Sequence, residues 1–265
     1  MKAARLNAPV AEKKEYGCAT ELVVKASSMG GAEPGQFLHV YCGSRDGMIL
    51  RRPFSIFAVD GENISFLVKD VGKGSAWLRE REVGDVLDIM GPLGKGFSCA
   101  RKGRNILVAG GAGIAPLHFL AVYMGGKGED AVLLWGMEKK EDYGDLPDAI
   151  GKLVDLRLSS MDGSLGMRGS VLDLFEAVCQ EKCPGLYACG PRAMLLGLAE
   201  KASARGSEVY QVSIEERMAC GLGACRGCAV PRSMHGGGYL AVCSDGPVFD
   251  AKELDWKKMR DSSWT

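Results

Sequence analysis

Residues 106–117 read ILVAGGAGIAPL: four apolar residues, then Gly110, Gly111, Ala112 and Gly113, then an apolar run containing Pro116. Such a stretch turns a buried strand into a helix through a loop with almost no side chains. The backbone can then approach a pyrophosphate while the helix N-terminus faces it. The spacing departs from G-x-G-x-x-G, so a purely structural turn is the competing reading of this loop taken alone. No formal charge occurs from Ile106 to Met124. The glycines and Pro116 interrupt that run and suit a strand, a tight turn and a short helix rather than a membrane span.

Downstream, apolar strand runs at Ala131–Trp135, Val154–Leu158 and Leu186–Cys189 alternate with helical patterns over Ala115–Met124, Leu172–Cys179 and Pro191–Ala204. Together with the strand Ile106–Ala109 they predict a Rossmann-like parallel α/β sheet covered by helices. Upstream, the runs Glu21–Ala26, Phe37–Tyr41, Phe54–Val59, Ile64–Lys69 and Val86–Ile89 are short and separated by Gly, Asp and Pro. That is the pattern of a small antiparallel β-barrel, with one helix-like insert at Ser75–Arg81. After Val209 the periodicity dissolves into a Cys- and Gly-rich segment and a polar tail with Trp256 and Trp264. Three units follow: a barrel over 1–101, an α/β domain over 102–208 and a small C-terminal segment over 209–265.

The chain has 265 residues, room for two cores and a short extra segment. Lys plus Arg and Asp plus Glu both number 33, so no global field draws it to nucleic acid or to an anionic membrane. Met1–Val10 lacks the apolar core of a secretory signal, which predicts a cytoplasmic protein. There, ten cysteines are reduced thiols rather than a disulfide framework.

Four of these carry the strongest signal. Cys220, Cys225, Cys228 and Cys243 are separated by four, two and fourteen residues, the plant-type [2Fe-2S] ligand spacing. Four thiolates must converge on two irons, so the loop has to fold back on itself, and Gly221, Gly223 and Gly227 supply backbone freedom for that. Loop amides can also approach the cluster sulfurs and offset their negative charge. Structural zinc is the competing reading, but zinc ribbons use two short Cys pairs and only one is present. Cys18, Cys42, Cys99, Cys179 and Cys183 read as small apolar fillers.

A second motif, Tyr187–Pro191 (YACGP), ends a strand where open sheets bind ligands. LVAGGAGIAPL and ACGPRAML together resemble the pyridine-nucleotide domain of the ferredoxin-NADP reductase superfamily. The resemblance places Cys189 beside the nicotinamide as a catalytic-site residue, with Gly190 and Pro191 at the cofactor. Arg52, Pro53, Phe54 and Ser55 resemble the same superfamily's flavin motif, in which Arg meets the FAD pyrophosphate and Ser the isoalloxazine. An Arg fork matches phosphate oxygens, and Pro keeps the strand extended. Gly72, Gly74 and Ser75 open the insert and can add backbone amides, with Lys69, Asp70 and Val71 bordering the flavin. Ser75 as an ordinary helix cap is the competing reading.

At residues 213–231, SIEERMACGLGACRGCAVP, the resemblance narrows to the electron-transfer subunits of type B dihydroorotate dehydrogenase. The order of parts also matches: RPFS, GKGS, GPLGKGF, GGAGIAPL, CGP, then the cysteines. The resemblance implies bound FAD and [2Fe-2S], exchange with NAD, and a separate FMN-containing catalytic subunit, in a heterotetramer with two copies of each chain. That partner oxidises dihydroorotate to orotate in pyrimidine biosynthesis. A hydride carries two electrons and the cluster carries one, so the flavin lies between them, and the expected order is FMN, cluster, FAD, NAD. The cluster segment is then expected at the partner interface. Related FAD and [2Fe-2S] reductase subunits, of sulfide dehydrogenase or ferredoxin transhydrogenase type, and a zinc-stapled binding module are the alternatives.

Glu138, just after the second α/β strand, is placed to accept a ribose hydroxyl and to repel a 2′-phosphate, which favours NAD over NADP; Lys139 and Lys140 follow it directly. His39, His118 and His235 carry no motif, and His118 reads as packed. Glu215 and Glu216 precede the cysteines, where contact with the flavin side is one reading and salt bridging the commoner role.

Overall fold

The computed structural model describes residues 4–29, 31–43, 48–98, 103–181, 184–205, 207, 209–233 and 237–261. Cys99, Cys183, His235 and Trp264 therefore lie outside the described residues.

The chain opens with β1 (Ala4–Tyr16), β2 (Ala19–Lys25), β3 (Phe37–Val40), β4 (Arg52–Asp60) and β5 (Asn63–Lys69), then α1 (Lys73–Arg79) and β6 (Val86–Leu93). The six strands close into an antiparallel barrel in the order β1-β2-β5-β4-β3-β6. Alternate residues point inward, so Leu22 and Val24 of β2 meet Ile64, Phe66 and Val68 of β5 in a core with no exposed surface. The sequence pattern does not predict β1. Only Ala8 and Val10 of its thirteen residues are buried, so charged residues dominate it and hide the alternation.

The second unit contains β7 (Asn105–Gly110), α2 (Ile114–Gly126), β8 (Ala131–Met137), α3 (Leu146–Gly151), β9 (Asp155–Ser160), β10 (Met167–Arg168), α4 (Val171–Val178), β11 (Gly185–Cys189) and α5 (Arg192–Arg205). The sheet runs β10-β9-β8-β7-β11, all parallel. Ile106 and Val108 of β7 pack toward Leu174 and Phe175 of α4 and Leu198 of α5. Leu107 and Ala109 pack toward Leu117 of α2 and Leu146 of α3. Covering both faces is what makes these strands read as continuous apolar runs.

The sheet continues past residue 208. β12 (Val209–Ser213) adds parallel to β11, and the chain then makes β13 (Ala229–Pro231), β14 (Tyr239–Ala241) and α6 (Val242–Asp245). It returns as β15 (Val248–Asp250), antiparallel to β12, before α7 (Trp256–Asp261). The cysteine segment is thus an excursion between the last two strands of the sheet, and Cys228, Val230 and Cys243 share a core with Ile214, Met218 and Phe249. Polar residues, Gln211 and Ser213 in β12 and Asp250 in β15, break the apolar run that marks a strand such as β11 in the sequence.

The two larger units meet through side chains as well as backbone. Phe57 of β4 stacks on His118 of α2 at 4.3 Å, so His118 is packed as expected. Lys69 pairs with Asp142 at 3.3 Å, and the amide of Cys18 donates to the Asp142 carbonyl at 3.1 Å. Cys18 itself is exposed in the β1–β2 turn, so it is not an apolar filler, whereas Cys42 and Cys179 are buried. Among the described residues no helix is long and apolar enough to cross a membrane.

Candidate functional site

Two cavities and one thiol cluster occupy the C-terminal side of the parallel strands. The larger cavity, about 770 Å³, lies between the barrel and the segment leaving β12. Arg52, Pro53, Phe54 and Ser55 of β4 form one wall with Lys69 and Val71, and Ser213 through Met218 form the other. The Arg52 guanidinium is held by the carbonyl of Leu50 at 2.9 Å. Arg51 and Arg79 pair with Asp88 and Asp70, but among the described residues no carboxylate pairs with Arg52. A cation fixed by neutral carbonyls at a cavity wall suits an anionic ligand.

The α1 start sits against this arginine: a Cβ on Gly74 would lie 3.4 Å from Arg52 Cγ. Ser75 Oγ accepts from the amides of Val71 and Gly72 at 2.9 and 3.0 Å and donates to the Gly72 carbonyl. Ser75 therefore acts as a cap that shapes the turn, and the amides of the first helical turn remain the donors available to a phosphate. Asp70 turns away to Arg79 and does not line the cavity.

The second cavity, about 530 Å³, is walled by Gly110, Gly111, Ala112, Gly113, Gly190 and Pro191, with Glu138 and Tyr143. The glycines are required by close packing, since a Cβ on Gly113 would overlap the carbonyl of Cys189. Trp135 supports the turn, its Nε1–H donating to the Gly111 carbonyl at 3.0 Å, and Tyr143 packs edge-on against it. The Tyr143 hydroxyl is buried without a hydrogen-bond partner although it borders the cavity, an orphan that a bound nucleotide can satisfy. Glu138 lines this cavity, while Lys139 and Lys140 do not.

Cys189 is fully buried in the core on the α2 side and lines neither cavity. Burial, with the negative charge of Glu215, pushes its thiol well above the usual range, against a hydrogen bond with Ser213. Its thiol is thereby held in the protonated form, beneath the site.

The cavities share Lys69, Ala112 and Glu215. Glu215, read from the sequence as an ion-pairing residue, opens onto the cleft but is hemmed in by protein, which raises its carboxyl pKa. Its detectable signal was position: it stands just beyond the carboxyl end of a parallel strand, where such sheets bind ligands. Glu216 does pair, with Arg192 at 2.6 Å.

Two residues beyond this wall the cysteine loop begins. Leu222 and Cys225 donate amides to Cys220 Sγ at 3.4 Å, Gly223 to Cys243 Sγ at 3.1 Å, and Gly227 to Cys225 Sγ at 3.5 Å. Cys228 and Cys243 form a close thiol pair at 3.3 Å, and none of the four is in a disulfide. The Cys225 amide, then that of Leu222, lowers the Cys220 thiol to about 6, while burial raises Cys243 to about 12. Gly221 and Gly223 take left-handed φ of 72° and 80°. Gly227 does not, and Arg226 at φ 54° supplies that turn instead, anchored by its guanidinium on the Tyr239 carbonyl. Amides aimed at sulfur fit an iron-sulfur group.

Comparison with known proteins agrees with this arrangement. Residues 215–255 match the iron-sulfur cluster binding domain of dihydroorotate dehydrogenase B. The chain is 40% identical over 231 residues to the dihydroorotate dehydrogenase B (NAD(+)) electron transfer subunit of Geobacillus kaustophilus, covering 84% of this chain and 86% of that one. It is 35% identical to the same subunit of Listeria monocytogenes (strain F2365), covering 88% and 92%. Among solved structures it resembles a chain of the NADH-dependent reduced ferredoxin-NADP oxidoreductase, with TM-score 0.84, 25% identity and 96% and 91% coverage. It also shares its fold with the ferredoxin reductase of carbazole 1,9a-dioxygenase, with TM-score 0.66, 21% identity and 78% and 67% coverage.

Proposed function

This chain belongs to the family of dihydroorotate dehydrogenase B (NAD+) electron transfer subunits, and on that premise we propose that it binds FAD, a [2Fe-2S] cluster and NAD at the three sites above. It serves a separate FMN-containing subunit that oxidises dihydroorotate to orotate, in a heterotetramer with two copies of each chain. The observation that carries this reading is continuity. One stretch, Ser213 through Met218, walls the larger cavity and runs directly into Cys220.

When bound, the groups supply the redox chemistry: NAD exchanges electron pairs, the cluster single electrons, and the flavin both, which orders them as FMN of the partner, cluster, FAD, NAD. The protein's residues hold and orient them. Arg52 and the first turn of α1, with Gly72 and Gly74, clamp the flavin pyrophosphate. Pro53, Phe54, Ser55, Lys69 and Val71 border its ring. Gly110 through Gly113, with Gly190 and Pro191, admit the nicotinamide nucleotide, and Lys69 and Glu215 flank the point where the two cavities meet. Cys220, Cys225, Cys228 and Cys243 ligate the irons. Cys189 shapes the floor beneath Gly113 rather than touching a ligand. Of the units 1–101, 102–208 and 209–265, the first and third wall the flavin site, the second supplies most of the nucleotide site with Lys69 and Glu215 at its edge, and the third holds the cysteines, its β12 and β15 completing the sheet of the second.

Purification of the native complex tests the function. The expected partner is an FMN-binding subunit, and the complex reduces NAD+ with dihydroorotate. A partner of other chemistry, with no orotate formed, contradicts the reading and favours a relative of the ferredoxin-NADP oxidoreductase type.

Cofactor choice follows from Glu138. NAD is expected to bind more tightly than NADP, and Glu138→Gln to narrow the preference by about tenfold, which corresponds to ~1.4 kcal/mol. Titration of both nucleotides checks this, and a wild-type preference for NADP contradicts it.

A further inference from the structure

One side chain joins the flavin strand to the cysteine loop. β3 pairs with Arg52–Ser55 of β4 on one side and β6 on the other, which sets His39 opposite Pro53 and Met90. Phe37 and His39, two residues apart, project from the same face of β3. Phe37 lines the flavin cavity, His39 reaches the cysteine loop, and the two rings meet edge to face at 6.4 Å. The Nδ1–Cε1 edge of His39 lies against Gly221: a Cβ there would sit 2.5 Å from Nδ1 and 3.0 Å from Cε1. Gly221 directly follows Cys220.

His39 is fully buried, and neither ring nitrogen has a hydrogen-bond partner. Burial first, then the charge of Arg51, pulls its pKa down to about 4. The Arg51 backbone lies near enough to oppose that shift but not in hydrogen-bonding geometry. The ring is therefore neutral near pH 7, with one N–H and one lone pair. A buried donor left unbonded destabilises the fold. Such a penalty is sustained where a group other than the polypeptide completes the bond. Iron-sulfur groups carry negative charge on sulfur, and N–H donors to those sulfurs stabilise the reduced, more negative state.

We propose that His39 is the N–H donor that the barrel offers to the sulfur site at Cys220, a positioning residue that ties the cluster loop to the flavin strand and raises the reduction potential of the cluster. This rests on the [2Fe-2S] reading of the four thiols. The competing role, a spacer that merely fills the room beside Gly221, needs no nitrogen.

The test uses the complex with its prosthetic groups, labelled with 15N at histidine only and reduced anaerobically. Pulsed EPR is expected to show a weakly coupled imidazole 15N that vanishes in His39→Gln. EPR-monitored titration is expected to give a lower cluster potential in His39→Phe than in the wild type, with His39→Gln, which keeps an N–H, nearer the wild type. Absence of histidine coupling in the labelled wild type, or an unchanged potential in His39→Phe, overturns the proposal. If His39→Phe fails to assemble, the labelled wild type decides alone. Iron and acid-labile sulfide assayed on the same sample separate the two claims: a full cluster without histidine coupling defeats the role of His39, whereas absent iron defeats the cluster itself.

Discussion

Replacing Cys225 by Ser is expected to cut electron transfer to the FMN of the catalytic subunit by more than about 100-fold, because even outer-shell partners of a metal ligand are worth about 10–100-fold. Reduction of FAD by NADH is expected to persist. The contrast arises because Cys225 belongs to the loop and lines neither cavity. It is exposed, so the serine hydroxyl finds water and the fold loses little. What disappears is a soft thiolate suited to iron, which a hard oxygen replaces poorly. Stopped-flow absorbance resolves the two steps, and intact transfer to FMN in this variant refutes the proposed path.

Arg52→Ala is expected to weaken FAD binding by about 10- to 150-fold, the loss of one charge-assisted interaction worth about 1.5–3 kcal/mol. The side chain does two jobs. Its guanidinium is a cation without a carboxylate partner among the described residues, and its stem packs beside Gly74 at the start of α1. Arg52→Lys keeps the charge but not the fork, so it is expected to recover only part of the affinity. Flavin released on gel filtration measures the effect, and stoichiometric FAD retained by Arg52→Ala contradicts the clamp.

Much of the architecture was legible because burial leaves periodic traces. The short strands β2 and β5, the doubly covered β7 and β8 and the glycine turn at Gly110–Gly113 show in the sequence as apolar runs and the residues that break them. β1 was hidden because it is mostly solvated, and β12 and β15 because Gln211, Ser213 and Asp250 interrupt their apolar residues. Chemistry at the site was legible where a residue type is demanded, as with the four cysteines, Arg52 and the glycines. Gly227 was misread because spacing does not reveal which residue takes the left-handed turn, and that is Arg226. Contacts made across the chain left no trace at all. Tyr143 under the turn and His39 against Gly221 depend on packing between distant segments, whereas Glu215 showed only its place beyond a strand end. For Cys189 the motif marks the place in the fold but not the depth at which its thiol is buried.

Anaerobic purification followed by iron and acid-labile sulfide analysis tests the whole account most directly. Two irons and two sulfides for each FAD are the predicted result, with flavin and iron-sulfur absorption in the same protein. A preparation that holds zinc, or neither iron nor sulfide, contradicts it.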